Sequence, residues 1–185
     1  MRKLIVLIVA LASICSLQAQ EVTSFEGEAA AAVAFGAAKQ GATVEGTWNF
    51  LAEGRYNFRS LPLDVGFQFY LGAFARDWDG GRLSHNQHFK TFSLAADWNF
   101  GRTNRVVPFV GCTAGIAAVK IDRSDMQAER TTHDCSFCVM PRVGVEFFHR
   151  IRLTAGYRLM KRDYSSCEVA VGIVLGGGVR RSAGR

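Results

Sequence analysis

Charged side chains stand at alternate positions of segments that are otherwise apolar, and they are the residues best placed to do chemistry. Arg142 and Glu146 alternate with Val143, Val145 and Phe147, while Arg152 and Arg158 alternate with Leu153, Ala155 and Tyr157. The same spacing puts Glu26, Glu28, Glu53, Arg55, Asp64, Arg76, Asp97 and Glu168 opposite apolar neighbours elsewhere. A period of two sends one set of side chains to each face of a strand. Seven acids against five arginines are close to balance, as suits groups that neutralise one another in a narrow space. Such a face could line a conducting path, hold a proton-linked gate or form a packed salt-bridge plug. The set expected to form a structural ion-pair network is Glu53, Arg55, Asp64, Asp97, Arg142, Glu146, Arg152, Arg158 and Glu168, with Glu146 or Glu168 as the partner of Arg158.

Two other groupings contain the residue types of catalysis or metal binding. Cys135 and Cys138 form a C-x-x-C near His133, a spacing that suits zinc or a redox dithiol. Structural zinc takes four ligands, and alternation sends the two thiols to opposite faces. In an exported chain a disulfide among Cys135, Cys138 and Cys167 is one outcome, and unpaired small residues are the other. Ser136, His133 and Asp134 supply the types of a hydrolytic triad, yet sequence neighbours rarely converge as nucleophile, base and orienter. No catalytic residue, metal, cofactor or nucleic-acid partner is expected.

The elements that must position these groups follow a leader. Arg2 and Lys3 precede an apolar run from Leu4 to Ile14, followed by Ser16 and Ala19. That is the pattern of a cleaved signal peptide over 1–19, too short to span a bilayer, which needs about 20 apolar residues. Cys15 follows Ile14 rather than a small residue, so lipidation is not expected. Residues 20–185 are then one domain. Its longest apolar run, Ala29 to Ala38, has ten residues and falls short of a membrane helix. The net charge of +6 for the whole chain says little about class. An exported chain of this kind is either soluble or a transmembrane barrel.

Eight alternating segments follow. Strand one covers the alanine-rich stretch from Ser24 to Phe35, whose composition also suits a helix. The connection at Lys39 to Gly41 leads to strand two, about Val44 to Phe58. A tight turn through Pro62 leads to strand three, Leu63 to Arg76. Asp77 to Gln87 reads as a polar loop, then strand four runs from His88 to Phe100. A turn from Gly101 to Val106 leads to strand five, Phe109 to Ile121, and the charged stretch Asp122 to Asp134 reads as the longest loop. Val139 to Phe147 and Ile151 to Leu159 form a hairpin that turns near His149 and Arg150. Strand eight runs from Cys167 to about Gly177, and the tail from Arg180 is polar.

The remaining question is which face is wet. Strand segments are nearly free of lysine, and their apolar faces finish in aromatics, as barrels do at the two membrane interfaces. Closure removes the unpaired edges that hydrocarbon cannot satisfy. The charged face is therefore expected inside, in a lumen that eight strands leave only wide enough for side chains.

PRVGVEFFHRIRLTAGYR, RYNFRSLPLDVGFQ and WNFGRTNRVVPFVG resemble the recurrent hairpins of small bacterial outer-membrane β-barrel proteins, similar to the eight-stranded OmpX-like and OmpA-like transmembrane domains. The resemblance covers about Arg55 to Gly177. One departure is the tail, RRSAGR after a triple glycine, where such barrels often end on an aromatic residue used in assembly. The resemblance implies an all-β, single eight-stranded antiparallel up-and-down transmembrane barrel in the cell outer membrane. Its expected role is structural or surface-interactional: envelope integrity or binding by the external loops. A narrow pore and a membrane-embedded lipid-modifying enzyme are the alternatives. Outer-membrane lipid is the expected partner of a monomer, with unidentified partners for the loops.

Overall fold

The computed structural model describes residues 23–36, 42–78, 83–102, 104–125, 128–161 and 164–176. The expected signal peptide, the Lys39 to Gly41 connection and the polar tail lie outside them. Nine strand segments follow in chain order: β1 (Phe25–Gly36), β2 (Ala42–Glu45), β3 (Thr47–Asn57), β4 (Leu63–Trp78), β5 (Leu83–Asn99), β6 (Val106–Asp125), β7 (Ala128–Phe147), β8 (Ile151–Arg158) and β9 (Ser166–Leu175). β2 and β3 are two parts of one stave, both antiparallel to β4. They separate at Gly46, where a Cβ would press on the Phe35 ring at 2.6 Å. Each stave pairs antiparallel with its sequence neighbour, and β1 closes on β9. The result is a closed, all-β, eight-stranded antiparallel barrel. Among the described residues no helix is long and apolar enough to cross a membrane.

Pairing decides the one ambiguous segment. Alanine favours helix in isolation, but Ala29–Ala34 is bonded to β3 on one side and β9 on the other. Ala30, Ala32 and Ala34 are buried in the lumen and Ala29 and Ala31 are exposed. Pro141 leaves a visible mark as well. The β7–β8 ladder runs to Arg142↔Gly156 and resumes as the single bridge Val139↔Leu159. Proline, with no N–H to give a ladder, stands in the gap.

Two expected loops are strands instead. Asp77 to Gln87 falls largely within β4 and β5, with pairing carried to Trp78↔Leu83. Asp122 to Asp134 falls, over its described residues, within β6 and β7, paired out to Asp125↔Ala128. Beyond the bilayer both faces of a hairpin meet water, so the backbone ladder persists while the apolar alternation that marks it stops. The β7–β8 hairpin turns through Phe148, His149 and Arg150: Arg150 N donates to Phe147 O at 2.9 Å, and Phe148 and His149 have φ of 53° and 55°. Positive φ at both central residues is the primed turn conformation that matches strand twist, and Arg150 completes a three-residue connection between the paired Phe147 and Ile151.

The faces sort as alternation dictates, and they are inverted relative to a soluble protein. Trp48 is 78% exposed and Ile173 62%, whereas Arg158 is 0% and Asp97 1% exposed. Phe25, Tyr56, Trp98 and Phe148 ring the end that carries the three tight turns, and Phe35, Trp48 and Tyr157 stand exposed toward the other end. An outward apolar band between aromatic girdles, wrapped around buried charge, is the build of a membrane-spanning barrel. The long hairpins all leave from the end opposite the tight turns.

Candidate functional site

The site is the lumen, where inward positions of different strands meet across a narrow bore. Arg142 on β7 is its centre. Its Nε and Nη2 donate to Asp97 of β5 at 2.8 and 2.7 Å, and its Nη1 and Nη2 donate to Glu53 of β3 at 2.6 and 2.8 Å. One guanidinium therefore grips two carboxylates in the fork geometry that makes charge-assisted bonds strong. Gln68 Nε2 adds a bond to Glu53 at 2.9 Å.

Arg152 of β8 donates to Asp97 and lies 3.6 Å from oxygens of Glu28 and Glu146. Its guanidinium also stacks 3.6 Å over the Phe109 ring, a favourable placement for a desolvated cation. Arg55 of β3 reaches Glu28 at 2.8 Å, Glu26 at 3.4 Å, Glu146 at 3.5 Å and Glu53 at 3.6 Å. At the mouth nearest the tight turns Asp64 accepts from Asn99 and from Arg102. Arg102 also donates to Phe58 O and Leu61 O at 2.7 and 2.9 Å, tying one turn to the next.

Arg158 and Glu168 form a second, separate cluster toward the long hairpins. They are 3.1 Å apart, so the partner of Arg158 is Glu168. Arg158 also approaches Thr91 Oγ1 at 3.4 Å and lies 4.1 Å from the Tyr70 ring. Above this pair the lumen is apolar: Phe89 stacks on Tyr70 at 5.5 Å, Phe74 meets Phe89 edge-on at 5.7 Å, and Val119, Ile121 and Met160 close around them.

All nine carboxylates and guanidiniums expected to pair lie buried in the bore, in these two clusters and at the mouth. Glu26, Glu28 and Arg102 are further members that the paired set omitted. Glu28 stood on the correct face, but its partners come from β3 and β8, which periodicity does not rank. Arg102 sits in a turn, where alternation says nothing. The side chain of Arg76 lies outside the described residues.

Room for the carboxylates comes from glycine. A Cβ at Gly111 would strike the Asp97 carboxylate, and one at Gly172 would meet Glu28 Cγ at 2.9 Å. Gly111→Val is therefore expected to push Asp97 off Arg142 and Arg152. Overpacking of this kind costs about 1–3 kcal/mol, to be read as a lower urea midpoint for folding into bilayers.

The other groupings do not assemble. Cys138 is buried, Cys135 faces outward, and the four described cysteines are free thiols. His133 is exposed, while Asp134 binds Lys161 Nζ and Tyr164 Oη, each at 3.1 Å. Ser136 Oγ accepts from Lys161 N at 3.0 Å and donates to Phe137 O at 3.0 Å. The three do not converge on one another. Among the described residues no group of three or more His, Cys, Asp or Glu could hold a metal ion.

No protein-family model matches the sequence, and no curated protein matches it. Solved structures do match. The crystal structure of Neisserial surface protein A is 15% identical, with 85% of this chain and 99% of that one covered at a TM-score of 0.57. Ail, the attachment invasion locus protein of Yersinia pestis, is 16% identical over 84% of this chain and 99% of its own, at 0.51. The N-terminal β-barrel domain of Pseudomonas aeruginosa OprF is 13% identical over 84% and 100%, at 0.50. At these identities the likeness is one of fold. The fold is that of small bacterial outer-membrane barrels, as the hairpin motifs implied.

Proposed function

We propose that the protein is a monomeric outer-membrane barrel whose interior is structural and whose activity resides in its external hairpins, in envelope integrity or in binding at the cell surface. The carrying observation is the filled bore. Arg142 spans from Asp97 to Glu53, Arg158 and Glu168 pair beyond it, and Phe74, Phe89 and Ile121 cap both. A plug of bidentate ion pairs under aromatic side chains leaves the outside of the molecule to act. There β6 and β7 present Lys120, Arg123, Arg130, Thr131, Thr132 and His133 on an exposed, paired hairpin. A surface protein and an attachment invasion locus protein are among the chains of this fold, which agrees with a surface role. The reading assigns no role to Ser136, His133 and Asp134 as a triad, since Ser136 bonds Lys161 N and Phe137 O, and Asp134 bonds Lys161 and Tyr164.

Planar-bilayer recording tests the plug. The expected result is no steady conductance. A steady conductance that disappears in Arg142→Ala or Glu146→Ala would favour the narrow pore instead. An impermeant amine reagent tests the hairpin: Lys120, whose side chain is 47% exposed, is expected to be labelled on intact cells. Labelling only after permeabilisation would reverse the orientation.

A further inference from the structure

The outward face of β5, β6 and β7 changes chemistry abruptly at the external end of the apolar band. Phe92, Ile116 and Phe137 are register partners and stand exposed in one row. Two residues farther along, the row is Lys90, Ala118 and Cys135. The next is His88, Lys120 and His133, and all six side chains are exposed. Rows are about 7 Å apart along the strands and neighbouring strands about 5 Å apart. Lys120 thus has an imidazole directly opposite on either side and Lys90 one row nearer the bilayer. Basic groups opposite one another in a sheet repel when both are charged. Among the described side chains of this face, Asp122 is the one carboxylate. It lies 2.9 Å from Lys120 Nζ and accepts from Thr131 at 2.7 Å, leaving Lys90 and His133 without an acid.

We propose that this patch binds the phosphate of an anionic lipid headgroup in the external leaflet. Headgroup phosphates lie just beyond the hydrocarbon, the level at which Lys90 follows Phe92. Ammonium and imidazole N–H groups donate charge-assisted bonds to phosphate oxygens, and the acyl chains of the same molecule lie against the row of Phe92, Ile116 and Phe137. A free phosphate would meet only the first of these surfaces, and a lipid meets both. The inference rests on the outer-membrane reading.

The test uses the full chain folded into phosphatidylcholine nanodiscs that contain a minor fraction of phosphatidic acid, with retained lipid counted by native mass spectrometry. Wild type is expected to retain phosphatidic acid in preference to phosphatidylcholine. The triple variant Lys90→Gln, Lys120→Gln, His133→Gln removes the unpaired Lys90, a lysine worth about 1 kcal/mol near a membrane surface, so retention is expected to fall at least about fivefold. Lys161→Gln, whose ammonium is held by Asp134, is the control and is expected to behave as wild type. Equal retention by the triple variant overturns the proposal, as does an equal loss in Lys161→Gln. Displacement by millimolar inorganic phosphate also overturns it, because the ligand is then a free anion. Heat-modifiable migration is read alongside. A folded barrel without phosphate preference overturns this inference alone, and a chain that folds into no bilayer overturns the outer-membrane reading with it.

Discussion

Arg142→Leu is expected to destabilise the folded barrel by about 3–5 kcal/mol, the cost of removing one member of a buried ion pair. The guanidinium makes four bonds to Glu53 and Asp97, and both carboxylates are buried. The lower part of that range is expected. Arg152 still reaches Asp97, while Gln68 and Arg55 still reach Glu53. Urea titration of folding into bilayers measures the loss. Arg142→Leu combined with Glu53→Gln is expected to be milder than Arg142→Leu alone, since the second change removes the charge the first leaves without its main partner. Arg158→Leu offers a cleaner single pair, because Glu168 is its carboxylate partner. An Arg142→Leu barrel as stable as wild type would mean that the bore is wet enough to solvate the stranded acids.

Leu153→Arg acts on the other face and is expected to cost about 2–4 kcal/mol, the penalty for an arginine facing lipid near the midplane. Leu153 and Val171 are register partners on β8 and β9, both exposed within the apolar band, so Val171→Arg is expected to cost as much. Removing a lumen acid should rescue neither. That contrast separates the faces: a charge lost inside is compensated by losing its partner, whereas a charge gained outside has no partner to lose. Harmless Leu153→Arg and Val171→Arg variants would put those strands' outward faces in water.

Most of the barrel was legible because lipid on one side and packed side chains on the other impose a strict period of two. Arg142, Glu146, Arg152 and Arg158 could be assigned to one face from the spacing of Val143, Leu153 and Tyr157 alone. The signal stops where the bilayer stops. From Asp122 to Asp134 both faces are polar, so twenty-residue strands β6 and β7 looked like short strands joined by a long loop. Pairing partners were equally hidden. Periodicity places Arg158 inside but does not say which carboxylate on another strand shares its level, and the register Arg158↔Ser166 is what brings it to Glu168. Phe74 and Phe89 show a further limit. They are inward and apolar, which a sorting of charge inward and hydrophobe outward misses. They cap the ion pairs where the bore nears its external mouth. Arg102 carried no periodic signal at all, because its role depends on carbonyls of a neighbouring turn.

The inside-out arrangement itself is tested most directly at Cys112, an exposed thiol between Val110 and Ala114 on the outward face of β6. With Cys135, Cys138 and Cys167 replaced by serine, a nitroxide on Cys112 in the bilayer-folded protein reports which medium surrounds that face. Collisions with dissolved oxygen, which concentrates in hydrocarbon, are expected to dominate over collisions with a water-soluble nickel chelate. Dominance of the nickel chelate would put this face in water and contradict the membrane-spanning barrel.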